Sequence, residues 1–153
     1  DPLLANRMDL SKYVRLGDLL MEKEFYQAAL LEYGKASEGN DLPSPTILAR
    51  KAICLDKMER KEEAFRKIER ALELYPEHAM VLETAAKLYE AQNQKERALS
   101  IWARLHDVNP YDREMQEHLV QLYQDKGNTV MSQRHKEYAT ILASGGAIKQ
   151  RRQ

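Results

Sequence analysis

The sequence has a single cysteine, Cys54, a single tryptophan and two phenylalanines among 153 residues. One thiol closes no internal bridge, so a disulfide framework is excluded as the source of stability. A helical chain without bridges suits a reducing compartment and leaves an exported one open. Cys54 stands between Ile53 and Leu55 in an apolar stretch, where a thiol packs as a small buried hydrophobe. An excess of either charge is missing too. The 24 basic and 24 acidic side chains are interleaved along the chain, which excludes the basic footprint of a general nucleic-acid binder. No apolar run approaches the roughly 20 residues that a membrane span needs, and no signal-peptide core is visible. The first residue is Asp1 rather than methionine, so a segment upstream of it is expected to have been removed.

Catalytic signatures are absent as well. The sequence contains no HExxH, no glycine-rich phosphate loop, no GxSxG and no CxxC. Four histidines, His78, His106, His118 and His135, are scattered, and His118 has Glu114 one turn before it. A Glu/His pair at that spacing can be half of a metal site, but no second pair faces it, so these side chains are expected at a structural surface. No catalytic residue, no metal and no cofactor is therefore assigned.

What is present is repetition. YPEHAMVLETAAKLYEAQ, from Tyr75, is echoed 34 residues later by NPYDREMQEHLVQLYQDK, from Asn109. At the same shift Ala52 meets Ala86, Ala64 meets Ala98, Ile68 meets Trp102 and Pro76 meets Pro110; a shift of 35 carries Gly17 to Ala52, Leu20 to Leu55 and Ala29 to Ala64. The extra residue fits the loop GNDLPSP. Inside a unit, Leu82, Ala85, Ala86 and Tyr89 share one helical face, Asn93 and Gln94 interrupt, and Ala98, Ile101, Trp102 and Leu105 resume the period. Each unit is thus a helix, a turn and a second helix. Small residues at Gly17, Ala52 and Ala86, and at Ala29, Ala64 and Ala98, let paired helices approach, while Leu20, Leu55, Tyr89, Tyr33, Ile68 and Trp102 fill the holes beside them. Turns are expected near Glu24, Asn40, Arg60, Pro76, Asn93, Pro110 and Gly127.

These residues resemble the tetratricopeptide repeat (TPR) family, whose pattern runs aromatic-x2-Leu-Gly-x2-Tyr, then Ala-x3-Phe, then Pro. It appears here as Tyr13, Leu16, Gly17 and Leu20 with Ala29 and Tyr33; as Leu48, Lys51, Ala52 and Leu55 with Ala64, Ile68 and Pro76; and as Leu82, Ala85, Ala86 and Tyr89 with Ala98, Trp102 and Pro110. The fourth unit begins with Leu119, Val120 and Tyr123, then departs, with Ser132 and Lys136 where alanine and an aromatic are expected. Val130, Met131, Tyr138, Ile141 and Leu142 read as the inner side of a capping helix. The resemblance implies an all-α fold, a right-handed α-solenoid of antiparallel helix pairs with three full units and a degenerate fourth. The expected units are 10–44, 45–78, 79–112 and 113–143, after a lead-in over 1–9 and before a flexible basic tail or linker over 144–153.

In this family the first helix of each unit lines a concave groove. The stripe opposite the interior residues comprises Val14, Asp18 and Met21, then Ala49, Ile53 and Asp56, then Met80, Glu83, Lys87 and Glu90, then Glu114, Glu117, Gln121 and Gln124. Arg50 and Lys57 flank it. The expected groove is apolar toward the N-terminus and acidic toward the C-terminus. The family's clamp for acidic chaperone tails is not matched, since Val14, Asp18, Arg50, Met80 and Thr84 stand where its polar contacts belong. The resemblance implies a non-catalytic scaffold binding a protein or peptide, and the acidic part of the stripe gives the expectation that this partner is basic or amphipathic. The alternatives are an accessory repeat domain of a larger enzyme, such as a peptidase, or of a transcription regulator. Lys149, Arg151 and Arg152 in the tail are themselves a candidate occupant of the acidic stripe.

Overall fold

The computed structural model describes residues 2–39 and 42–145, with side chains described from residue 10 onward. Among the described residues there are eight α-helices and no strand: α1 (Pro2–Glu22), α2 (Tyr26–Ala36), α3 (Pro45–Lys57), α4 (Lys61–Leu74), α5 (Ala79–Ala91), α6 (Lys95–Val108), α7 (Arg113–Asp125) and α8 (Thr129–Ala143). The fold is all-α and built of repeated helix pairs, with breaks at six of the seven expected places; the seventh, at Asn40, lies outside the described residues. α1 begins at Pro2, ahead of the expected start at Leu10. The cations of the tail, Lys149, Arg151 and Arg152, lie outside the described residues.

The turn inside each pair is the same piece of backbone four times over. Glu24, Glu59, Asn93 and Gly127 have φ of 65°, 61°, 59° and 80°, spaced 35, 34 and 34 residues apart. In the first, Glu24 N donates to Met21 O at 3.0 Å and Phe25 N to Leu20 O at 2.8 Å; the other three turns repeat that pattern of bonds. This is the Schellman arrangement, in which a left-handed residue lets two amides satisfy the last carbonyls of the helix. Glycine meets the left-handed requirement only at Gly127. Between pairs the chemistry changes: Pro45 occupies the first turn of α3 after Ser44, and Asp112 accepts from Met115 N at 3.3 Å as the side-chain cap of α7; inside the fourth pair Asn128 caps α8 in the same way, accepting from Met131 N at 3.1 Å.

The chain divides into two compact units, residues 1–84 and 85–153, the border falling inside α5. In the first unit α1 packs on α2, α2 on α3 and α3 on α4. Ala29, Ala52 and Ala64 are fully buried at the close approaches, beside Tyr33, Leu55 and Ile68. In the second unit α6 packs on α7 and α7 on α8, with Ala86, Ala98, Tyr89, Trp102, Met115 and Leu119 buried. Apolar area removed from water drives both assemblies, and the small residues set how closely the helices approach.

The capping helix differs from its expected form. Val130, Tyr138 and Ile141 are exposed, and the one buried residue of α8 is His135. The exception is allowed because a buried partner satisfies it: His135 Nδ1–H donates to Gln116 Oε1 at 2.7 Å, and Gln116 is itself fully buried. Ala49 differs too. It is fully buried in α3 and does not belong to an open stripe.

Candidate interaction surfaces

In the first unit the stripe residues of α1 and α3 are tied together. Asp18 accepts Tyr33 Oη–H at 2.6 Å and Arg50 Nε–H at 2.8 Å, with Arg50 Nη2 at 3.3 Å from its other oxygen. Burial first, and Asp18 next, hold the Tyr33 phenol far above its ordinary value. Val14 and Met21 are half-buried and pack against a cluster of Ala29, Tyr33, Ala36, Ile47 and Cys54. The Cys54 thiol is directed at Met21 Sδ, and burial followed by the Asp18 charge pushes it up to about 11, so the thiol stays protonated and inert. Ile53, Met80 and Glu83 are half-buried, and Lys57 is exposed. Of the apolar contacts expected here, Val14 and Met21 give part of their surface to the core.

In the second unit the carboxylates of the stripe have partners. Lys87 Nζ lies 3.0 Å from Glu114 Oε1, and Arg113 Nε lies 2.9 Å from Glu117 Oε1. Bonding to Lys87 holds the Glu114 carboxyl below its ordinary range. Glu90 accepts Trp102 Nε1–H at 3.0 Å and has His118 Nδ1 at the same distance, while the His118 ring stacks on Trp102 with centroids 4.5 Å apart. Gln121 Nε2–H donates to Asp125 at 2.8 Å. The expected acidic half is therefore a row of ion pairs supported from beneath by an indole and an imidazole. His118, half-buried, belongs to this network rather than to a plain surface. Its signal was the Glu114/His118 spacing, which put it one turn along the stripe.

A second polar network lies among α6, α7 and α8. Gln116 Nε2–H donates to Pro110 O at 2.8 Å and reaches His106 Nδ1 at 2.9 Å, while its oxygen accepts from His135 Nδ1–H. These bonds fix His106 Nδ1 as an acceptor and His135 Nδ1 as a donor. His106 also stacks on Tyr138, beside a cavity of about 360 Å³ bounded by Tyr111, Ile141 and Leu142. Among the described residues no group of three or more histidine, cysteine, aspartate or glutamate side chains is placed to hold a metal, and no helix is long and apolar enough to cross a membrane.

No protein-family model matches the sequence, and no curated protein matches it. Solved structures do. MamA is similar at a TM-score of 0.76 and 15% identity, over 90% of this chain and 80% of that one. YrrB, described as a TPR protein with an unusual peptide-binding site, is similar at 0.66 and 19%, over 87% and 68%. A thermophilic TPR protein of Thermus thermophilus is similar at 0.69 and 19%, over 87% and 74%.

Proposed function

We propose that this chain, which has the tetratricopeptide-repeat fold, is a non-catalytic protein-interaction scaffold that binds basic or amphipathic peptide segments on the outward stripes of its first helices, each unit offering its own contacts. The observation that carries this reading is the row of half-exposed ion pairs along α5 and α7, Lys87 with Glu114 and Arg113 with Glu117. Side chains fixed by one another above a packed interior lose little freedom when a ligand arrives, which is what a recognition surface requires. In the second unit Glu114 and Glu117 are the contacts for a ligand's cations. In the first, Glu83 takes a cation, and Ile53 and Met80 take apolar side chains, while Asp18 and Arg50 hold α1 and α3 in register. YrrB offers the same fold with a peptide-binding site.

Charge contacts of this exposure are worth under about 1 kcal/mol each, so affinity is expected to be micromolar and to fade as salt rises. Titration of a labelled basic amphipathic peptide against wild type and a Glu83→Gln/Glu117→Gln variant tests the reading. Glu90 is left intact because it holds Trp102 and His118. Weaker binding by the variant supports the proposal; equal affinity, or tighter binding of an acidic peptide to this surface, overturns it.

A further inference from the structure

A different surface of the first unit carries the opposite charge. α3 and α4 enclose a cleft of about 540 Å³ over a floor of Ile47 and Leu48, with Lys51 on one wall and Arg66, Lys67 and Arg70 on the other. The three cations of α4 fall with Glu63 at i, i+3, i+4 and i+7, a complete stripe of one helix. Glu63, the one carboxylate lining the cleft, is already taken: Arg60 grips both its oxygens, at 2.8 and 2.7 Å. Lys51 Nζ–H donates to the neutral Ser37 Oγ at 3.1 Å. Among the described residues none of the four cations is held in an ion pair. Burial first, and Lys67 next, push the Lys51 ammonium below its ordinary range, so two cations repel each other across a partly desolvated cleft.

Nothing in the repeat requires this arrangement. The positions 34 residues on from the α4 stripe are Arg97, Ser100, Ile101 and Arg104, which do not reproduce it. In a chain with 24 charges of each sign, four cations around one carboxylate, itself gripped by Arg60, are a local concentration, not a general excess. Lys51 also stands roughly 160° around α3 from Ile53, so the cleft is separate from the stripe described above.

We propose that this cleft binds an acidic peptide segment, its closely spaced carboxylates pairing with Lys51, Arg66, Lys67 and Arg70 and an apolar side chain between them lying over Ile47 and Leu48. Two guanidinium groups suit the fork geometry of carboxylates, and each pair formed relieves the repulsion between Lys51 and Lys67. The chain thereby presents two surfaces of opposite preference, one for basic and one for acidic segments.

Fluorescence anisotropy with a short labelled peptide of glutamate pairs separated by leucine tests this. Wild type is expected to bind it in a salt-sensitive way, and Lys67→Glu/Arg70→Glu to weaken binding by about tenfold or more. Both residues are exposed, so circular dichroism of the variant should match wild type. Lys136→Glu, on α8, and Glu83→Gln/Glu117→Gln are both expected to leave binding of this peptide unchanged. Wild-type affinity in the Lys67/Arg70 variant overturns the proposal. So does equal weakening by Lys136→Glu, which reveals diffuse attraction, or full displacement by inorganic phosphate at matched charge, which reveals a small-anion site.

Discussion

The ring of Tyr33 occupies the space that a β-carbon on Gly17 would need: such an atom would stand 2.4 Å from Cε1 and 2.7 Å from Cδ1. The ring cannot swing aside cheaply, because it is 1% exposed and its hydroxyl is held by Asp18 at 2.6 Å. Gly17→Ala gains roughly 1 kcal/mol of helix propensity but incurs an overpacking penalty of about 1–3 kcal/mol. The expected outcome is a net loss, read as a melting temperature several degrees below wild type. Gly17→Ala/Tyr33→Leu, which removes the ring, should show less loss than the two single changes added together.

The left-handed turn residues predict changes of the other sign. Glu59 carries a side chain at φ 61°, where an L-residue is strained and glycine is not. Its ion pair with Lys61, at 3.5 Å, is exposed and worth little. Glu59→Gly should therefore stabilise by up to about 1 kcal/mol, raising the urea midpoint without altering the slope. Gly127→Ala, at φ 80° with open space around it, should lower the midpoint by a similar amount. Opposite signs at equivalent positions of two repeats would be hard to produce by any cause other than backbone conformation.

His135 makes stability depend on pH. Burial first, then His106 and Arg134, bring its folded value down to about 4, below the ordinary 6.5. Between those two values the unfolded chain takes up a proton that the folded chain refuses. Stability attributable to this group is therefore full above 6.5, falls as pH drops toward 4, and levels off below. The slope approaches about 1.4 kcal/mol per pH unit at most. His135→Gln keeps a partner for Gln116 while removing the titration, so denaturation midpoints of this variant should change less with pH than those of wild type between about pH 6.5 and 4.5. Parallel pH profiles for the two proteins would show that His135 is not the group responsible.

The helix pairs were legible because the residues that set them up are local. A hydrophobic face with alanine at its centre, broken at Glu24, Arg60, Asn93 and Gly127, reveals both helices and the turn between them within one unit. The inner face of α8 was not legible. Val130, Tyr138 and Ile141 outweigh one histidine on any hydrophobicity scale, and only the buried amide of Gln116, on α7, makes His135 the residue that goes inside. The candidate surface was half visible for the same reason. Glu114 and Glu117 are apparent as charges, and the Arg113–Glu117 pair follows from its spacing along one helix. The Lys87–Glu114 pair joins α5 to α7, and no spacing rule along one helix anticipates it.

Trp102 has a consequence in light. It is the chain's only tryptophan, its N–H bonded to Glu90 and its face 4.5 Å from the His118 ring, nearly parallel at 14°. The imidazole covers one face of the indole, so emission reports whether that ring stays stacked or is pulled away. Excited at the red edge, where tyrosine does not absorb, the chain therefore carries a built-in lamp in residues 85–153 alone. Its colour follows the burial of α6 and its brightness follows the stacking of His118 on the indole, while residues 1–84 remain dark.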